Sequence, residues 1–380
     1  MKVLFLVDHF DSDRGGTENQ LLKIVNGLAR SMHVEMIVFR PSEWLDTHPG
    51  AFSCPLEVLS IQNFRGLGTY RNFFVLIRRI RAIRPDVVHC FFPVANSVGV
   101  FAARLGGVRT VISSRRDYGE WMNRRYLLVT RLANRLVSGI VSNSKEVKRL
   151  TVEVERVPAR RIEVIYNGIE VKSHRRSAPD LEFKRQLGIA LEDRVVGIVG
   201  NFRPMKRHQT FVRAADRILK RRSGVSFLLI GADPHQGGPK TEMQKLVGTL
   251  GIGAKVRFSE AHGNIREHLS IIDVAVNCSE REGLSNAVME YMCSGIPCVV
   301  SSSGGNPDLV QDGVTGLTFP LDDDACLAEK IERLLDDPQE SGKLATAAYE
   351  DMLTRMDLQQ MLRHFETFYR NTAGVGAGGM

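Results

Sequence analysis

Ser279-Glu-Arg-Glu-Gly-Leu-Ser-Asn-Ala-Val-Met-Glu-Tyr-Met-Cys-Ser-Gly-Ile-Pro-Cys-Val-Val300 is the stretch whose reading decides the fold. The apolar run Ile271–Asn277 before it predicts a strand, and a second apolar strand begins at Pro297. Between them lie a turn with Glu282 and Gly283 and a helix from about Ser285 to Cys293. Such a turn presents free backbone N–H groups at a helix N-terminus, where an anion binds well. Glu282 and Glu290 stand eight residues apart across it. Two carboxylates flanking a phosphate-sized donor site suit a sugar nucleotide, one for hydroxyls of the sugar and one for those of the ribose. Taken alone, the pair is more simply a surface turn and a helical Glu matched to a Lys or Arg. The surrounding chain decides between the two.

Working outward, short apolar runs alternate with amphipathic ones. Strands are expected at Lys2–Val7, Val34–Phe39, Val87–Phe91, Thr110–Ser113 and Gly139–Ser142 in the first half. In the second half they are expected at Val195–Gly200, Phe227–Ile230, Val256–Phe258, Val274–Asn277, Cys298–Ser301 and Gly316–Phe319. Helical patterns fill the gaps, among them Thr17–Arg30, Tyr70–Ile83, His208–Arg222 and Cys326–Leu335. This is the signature of doubly wound parallel sheets. The polar stretch Val171–Asp180 reads as a linker, after which the alternation starts afresh. The expected fold class is therefore α/β, with two Rossmann-like doubly wound domains facing a cleft. The expected boundaries are 1–171 for the first domain and 182–356 for the second. A last helix follows at 357–371, and a disordered tail at 372–380.

The 380 residues are 43% hydrophobic and 25% charged, enough for two ordinary cores. No run of 18 apolar residues occurs, so no transmembrane helix is expected. The start, Met1 to Asp8, resembles a signal-peptide apolar segment but is too short, and reads as a buried first strand. Six cysteines form no C-x-x-C pair, which favours buried free thiols in a reducing cytoplasm over disulfides or zinc. Residues 1–180 hold 28 Lys and Arg against 17 Asp and Glu, net +11; the remainder holds 23 against 26, net −3. A basic first half points to an anionic partner there.

The chemistry gathers in loops after strands. Gly197-Ile-Val-Gly200 leads into a loop with Arg203 and Lys206, two cations that can neutralise a diphosphate and stabilise it as a leaving group. The next strand ends at Gly231, and Ser303-Gly-Gly-Asn-Pro-Asp308 is another glycine-rich loop after a strand. Loops at one rim of one sheet converge on one ligand. Gly15 and Gly16 lie in the first strand-to-helix turn, where a plain turn and a phosphate or sugar contact both fit. His89 closes the strand Asp86–Cys90 and is a candidate sugar-binding or catalytic group, against a structural role in the strand. Asp322-Asp-Asp324 reads as a solvated helix start, not a metal site. No zinc-protease, P-loop or serine-hydrolase motif is present.

With these residues in view the chain resembles the GT-B-fold glycosyltransferases of the large retaining family 4, the glycosyl transferases group 1. The resemblance rests on Gly15-Gly16, Ser142-Asn-Ser144, Asn167-Gly-Ile169, Val199-Gly200 with Arg203 and Lys206, Gly231, and the block from Glu282 through Glu290 to Asp312–Leu317. It is strongest toward bacterial polysaccharide and lipopolysaccharide members. It implies that Arg203 and Lys206 hold the donor diphosphate and that Glu290 binds the ribose. It implies that Glu282 contacts the donor sugar, beside backbone groups of Gly283, Leu284 and Ser285. Gly15 and Gly16 would line the cleft, and the C-terminal helix would cross back to the first domain. No metal or other cofactor is implied. In one departure, many members carry a His where Phe91 stands here.

The expected activity is transfer of a sugar, with UDP the expected carrier, to a hydroxyl of a glycan or lipid-linked acceptor with retention. A sugar-nucleotide 2-epimerase or a non-catalytic nucleotide-sugar-binding protein are the alternatives. No nucleic-acid module accompanies the basic charge. The helix Tyr70–Arg84 and the segment Arg115–Arg135 mix arginines with Phe, Trp, Tyr and Leu. They read equally as half-buried helices or as a surface for an anionic bilayer. The expected location is cytoplasmic, and the bilayer reading of these segments would add peripheral binding at the inner membrane face.

Overall fold

In the computed structural model, the described residues are all but 14, 62–66, 120–122, 234–237, 261–264 and 375–380, with the side chains of 67–70 also outside the description. The chain forms two compact units, Met1–Gly168 with Leu358–Met380, and Ile169–Asp357. The C-terminal helix therefore belongs to the first unit.

The first unit is built on a parallel sheet of β1 (Lys2–Val7), β2 (His33–Val38), β3 (Leu56–Val58), β4 (Val87–Phe91), β5 (Thr110–Arg115), β6 (Gly139–Ser142) and β7 (Ile162–Val164). Their spatial order is β3-β2-β1-β4-β5-β6-β7. The order reverses direction between β1 and β4, which pair from Val3↔Val87 to Val7↔Phe91. Strands buried on both faces explain the near-continuous apolar runs of the sequence. One face packs on the helix Gly16–Leu28 and the C-terminal helix Leu358–Ala373, through Met361, Leu362, Phe365 and Tyr369. Burying Phe365 and Tyr369 contributes about 1.5–3 kcal/mol each. The opposite face packs on Leu76, Ile77 and Ile80 of the helix Leu67–Ile83, on Val100–Leu105 and on Ala133.

The second unit carries β8 (Arg194–Val199), β9 (Val225–Ile230), β10 (Val256–Ser259), β11 (Val274–Asn277), β12 (Cys298–Ser301) and β13 (Leu317–Phe319), in the order β10-β9-β8-β11-β12-β13. Here the reversal falls between β8 and β11. Phe211, Phe227, Phe319, Ile331 and Leu334 fill one side of this sheet.

Differences from the sequence reading have local causes. The short edge strands β3 and β7 have three residues each, too few to show alternation. The 18-residue helix Pro338–Arg355 buries Ser341, Ala345 and Ala348 beside Leu344 and Met352, so its inner face carries little hydropathy signal. The stretch read as a linker belongs to the second unit. Val171 is fully buried, the turn Val171–His174 packs on the helices Asn286–Ser294 and Pro338–Arg355, and Arg176 donates to the Ser270 and Ile272 carbonyls. Thr372 and Ala373, expected in the tail, are the last residues of the C-terminal helix, while 375–380 lie outside the described residues. All six cysteines are free.

Candidate functional site

The reversal between β8 and β11 places two βα loops side by side, and ligands of open parallel sheets bind beyond such strand ends. The β8 loop runs through Gly200 and Arg203 into a short 3₁₀ turn, Pro204–Lys206. The β11 loop carries Glu280 and Glu282 into the helix Asn286–Ser294, whose N-cap is Ser285. Three contacts join the loops. The Glu280 N–H donates to the Met205 carbonyl at 2.8 Å, Arg207 Nη2 to Glu280 Oε2 at 2.6 Å, and Lys206 Nζ to Glu282 Oε1 at 2.6 Å. Burial raises the Glu282 carboxyl, but the Lys206 ammonium and the Ser279 and Ser285 hydroxyls outweigh it, so its pKa lies below the usual carboxylate range. Glu282 is therefore an anion at neutral pH.

The remaining parts of the loops are held from below. Tyr291 on the helix accepts from the Val199 N–H at 2.7 Å and donates to the Val276 carbonyl at 3.3 Å, pinning β8 to β11. Asn277 Nδ2 donates to Ser285 Oγ at 3.2 Å, and Asn306 Nδ2 donates to Asn277 Oδ1 at 3.1 Å and Ser301 Oγ at 3.0 Å. Ser301 Oγ in turn donates to the Ser279 carbonyl at 2.6 Å. This polar network stabilises the turn at Glu282; no local sequence signal marks Asn277, Ser301 or Arg207, and Asn306 reads only as part of a glycine-rich loop.

Two glycines are required by contact. A Cβ on Gly231 would lie 2.1 Å from the Gly200 carbonyl oxygen, so the loops after β8 and β9 touch only because Gly231 has none. A Cβ on Gly305 would lie 2.0 Å from the Gly283 carbonyl oxygen, where the Gly305 N–H also donates to the Glu282 carbonyl at 2.8 Å. His208, first residue of the next helix, stacks on Phe202 at 4.7 Å. Burial, with Lys206 nearby, pushes its pKa down to about 4 against the pull of the Gly200 carbonyl.

Most of the residues singled out in the second unit thus meet at one sheet rim: Gly200, Arg203, Lys206, Gly231, Glu282, Gly283, Leu284 and Ser285. Arg203 is exposed and has no carboxylate partner among the described residues. Glu290 lies one turn along the helix from Ser285, partly exposed. Gly15 and Gly16 are in the first unit, as N-cap and first residue of the helix Gly16–Leu28; Arg14 lies outside the described residues.

His89 is a correction. It is fully buried, with Nδ1 2.5 Å from the Tyr369 hydroxyl and Nε2 2.8 Å from Ser114 Oγ. Burial and the Arg116 cation hold its pKa well below the usual imidazole value. Both ring nitrogens are engaged in the core, so His89 ties the C-terminal helix to the sheet. Arg115, which opens the segment read equally as half-buried or as a membrane surface, is buried, donating to Glu155 at 2.7 Å and to Asn134 at 2.9 Å.

Residues 14–173 match the family model described as Glycosyltransferase Family 4, and residues 180–351 match Glycosyl transferases group 1. The chain is 27% identical over 213 residues to N-acetyl-alpha-D-glucosaminyl L-malate synthase of Bacillus anthracis, covering 56% of this chain and 54% of that one. It thus spans about half the length of that relative. It is 27% identical over 358 residues to the lipopolysaccharide core biosynthesis glycosyltransferase LpsE of Rhizobium meliloti (strain 1021), covering 91% of this chain and 92% of that one. Among solved structures, Anabaena HepE in complex with UDP matches with a TM-score of 0.87 at 22% identity, covering 98% of this chain and 100% of that chain. At that identity the likeness carries the fold alone.

Proposed function

Because this chain belongs to the GT-B-fold glycosyltransferases of family 4, the glycosyl transferases group 1, we propose that it moves a sugar from a UDP-linked donor to a hydroxyl of a glycan or lipid-linked acceptor, with retention of configuration. The observation that carries this reading is the meeting of Lys206, Arg203 and Glu282 at the β8–β11 reversal. Arg203 and Lys206 take the charge of the diphosphate. Glu290 accepts from the ribose hydroxyls, and Glu282, fixed as an anion, accepts from hydroxyls of the donor sugar. The acceptor oxygen attacks C1 on the face the diphosphate leaves. The C1–O bond to phosphate breaks as the new one forms, and the acceptor proton passes to a diphosphate oxygen. The two cations stabilise charge that grows in this step. They serve where a divalent cation otherwise would, and turnover is expected to persist in EDTA.

The acceptor reading draws support from the first unit. Phe74 is 63% exposed on the helix Leu67–Ile83, and Leu128, 60% exposed, lies with exposed Val129 and Leu132 on the helix Arg124–Leu136. Val100–Leu105 packs against both helices, and neither contains an acidic residue. Exposed apolar groups among arginines suit an anionic bilayer carrying a lipid-linked acceptor. Among the described residues no helix is long and apolar enough to cross a membrane.

A thermal-unfolding panel with UDP, GDP, ADP and their sugars tests the donor. Ligand at about 100 times its Kd stabilises by about 2.7 kcal/mol. UDP compounds are expected to raise the midpoint most; no shift with any nucleotide would overturn the proposal.

A further inference from the structure

We infer that His9 and Phe92 form a platform in the first unit for a hydroxylated ring of the acceptor; this rests on the transferase reading above. The first sheet has its own reversal, between β1 and β4. His9 follows β1 by two residues, and Phe92 directly follows β4. They therefore occupy the strand ends where a parallel sheet binds its ligand, as Lys206 and Glu282 do in the second unit.

Their rings stack at 4.7 Å with an interplanar angle of 28°. The His9 side chain is 29% exposed, and Phe92 is half-buried, unlike the neighbouring Phe91, which is fully buried. Phe91 serves the core. Phe92 packs on the edge of the same core while staying partly exposed, and its backbone φ of +71° is a conformation that a bulky residue rarely adopts. The turn is clamped in place. Asp8 accepts from the Val94 and Ala95 N–H groups at 2.7 and 2.5 Å, and the Asn96 N–H donates to the Phe92 carbonyl at 2.9 Å. Both rings are thus fixed to adjacent strands before any ligand arrives.

Glu18, in the first turn of the helix Gly16–Leu28, places Oε1 3.9 Å from His9 Nε2. The cluster therefore offers an aromatic face, an imidazole edge and a carboxylate within a few ångströms. A sugar or cyclitol ring presents the complement, with C–H bonds on its face and hydroxyls around its edge. His9 and Phe92 act by positioning that ring, and no proton transfer is assigned to them.

The test uses the full chain saturated with UDP and two probes, methyl α-glucoside and myo-inositol, read by saturation-transfer NMR, with UDP affinity measured by calorimetry. His9 is partly exposed, so His9→Ala keeps the fold; Phe92→Ala is the second variant. The platform predicts a probe signal in the wild type that falls on the order of tenfold in His9→Ala and Phe92→Ala, with UDP affinity unchanged. A signal that survives both substitutions, or UDP binding with no probe signal in the wild type, overturns the platform alone. A wild type that binds no UDP overturns the transferase reading and the platform with it.

Discussion

Lys206 Nζ donates to Glu282 Oε1 at 2.6 Å although the two residues stand 76 apart in the chain. The contact exists because the sheet order reverses between β8 and β11 and sets the two loops side by side. It gives each residue a defined charge and position before a donor binds. The proposed division of labour, phosphate to Lys206 and sugar to Glu282, separates their mutants.

Glu282→Gln keeps the side-chain shape and releases Lys206 from its carboxylate. UDP affinity, by calorimetry, is expected to hold or tighten, while turnover of the UDP-sugar falls by ~10²-fold. Weaker UDP binding would mean that Glu282 serves the nucleotide and not the sugar.

Gly305→Ala puts a methyl 2.0 Å from the Gly283 carbonyl oxygen, and a backbone atom yields only if the Glu282 turn moves. A displacement near 1 Å at that turn is expected to lower turnover by ~10²-fold. Gly342, in the helix Pro338–Arg355 with nothing near its Cβ position, is the control. Gly342→Ala should leave turnover alone and add up to about 1 kcal/mol of stability.

The rim where the β8 and β11 loops meet was legible because its signals are local. A strand end, a glycine, a capping Ser285 and a carboxylate follow one another in the Ser279–Val300 stretch, and each dictates the next few residues. Strand positions came through for the same reason, since an apolar run such as Val87–Phe91 is buried on both sheet faces whatever its partners. Long-range partners did not come through. His89 reads as a strand-end imidazole, and its partners Tyr369, 280 residues away, and Ser114, 25 away, show that it is sealed in the core. For Arg115 the sequence leaves surface and half-buried readings equal, and only Glu155 and Asn134, closing around it, decide for burial. Nothing near residue 306 in sequence tells that Asn306 reaches Asn277.

His208 supplies a pH signature. Its folded pKa of about 4 lies below the ordinary 6.5, so the unfolded chain binds the proton first. This contribution to stability is full above about pH 6.5 and is lost as pH falls through about 4, amounting to about 3 kcal/mol. Denaturant unfolding of the wild type and of His208→Gln at pH 7 and pH 4 isolates it. The wild type should lose about 3 kcal/mol relative to the variant across that interval. A constant difference would contradict a buried neutral His208.

The basic, apolar-studded helices of the first unit predict sedimentation with vesicles rich in phosphatidylglycerol. Binding should weaken with salt as charges are screened and fall in Leu128→Glu, whose side chain is 60% exposed and so costs little in folding. Equal binding to neutral phosphatidylcholine vesicles would count against an electrostatic bilayer contact.

The central claim is that Lys206 holds the diphosphate of a nucleotide sugar, and calorimetric titration of UDP into wild type and Lys206→Ala tests it most directly. A charge-assisted bond to phosphate is worth about 1.5–3 kcal/mol, so the variant should bind UDP ~10- to 100-fold more weakly. Equal UDP affinity in the two proteins would contradict the assignment.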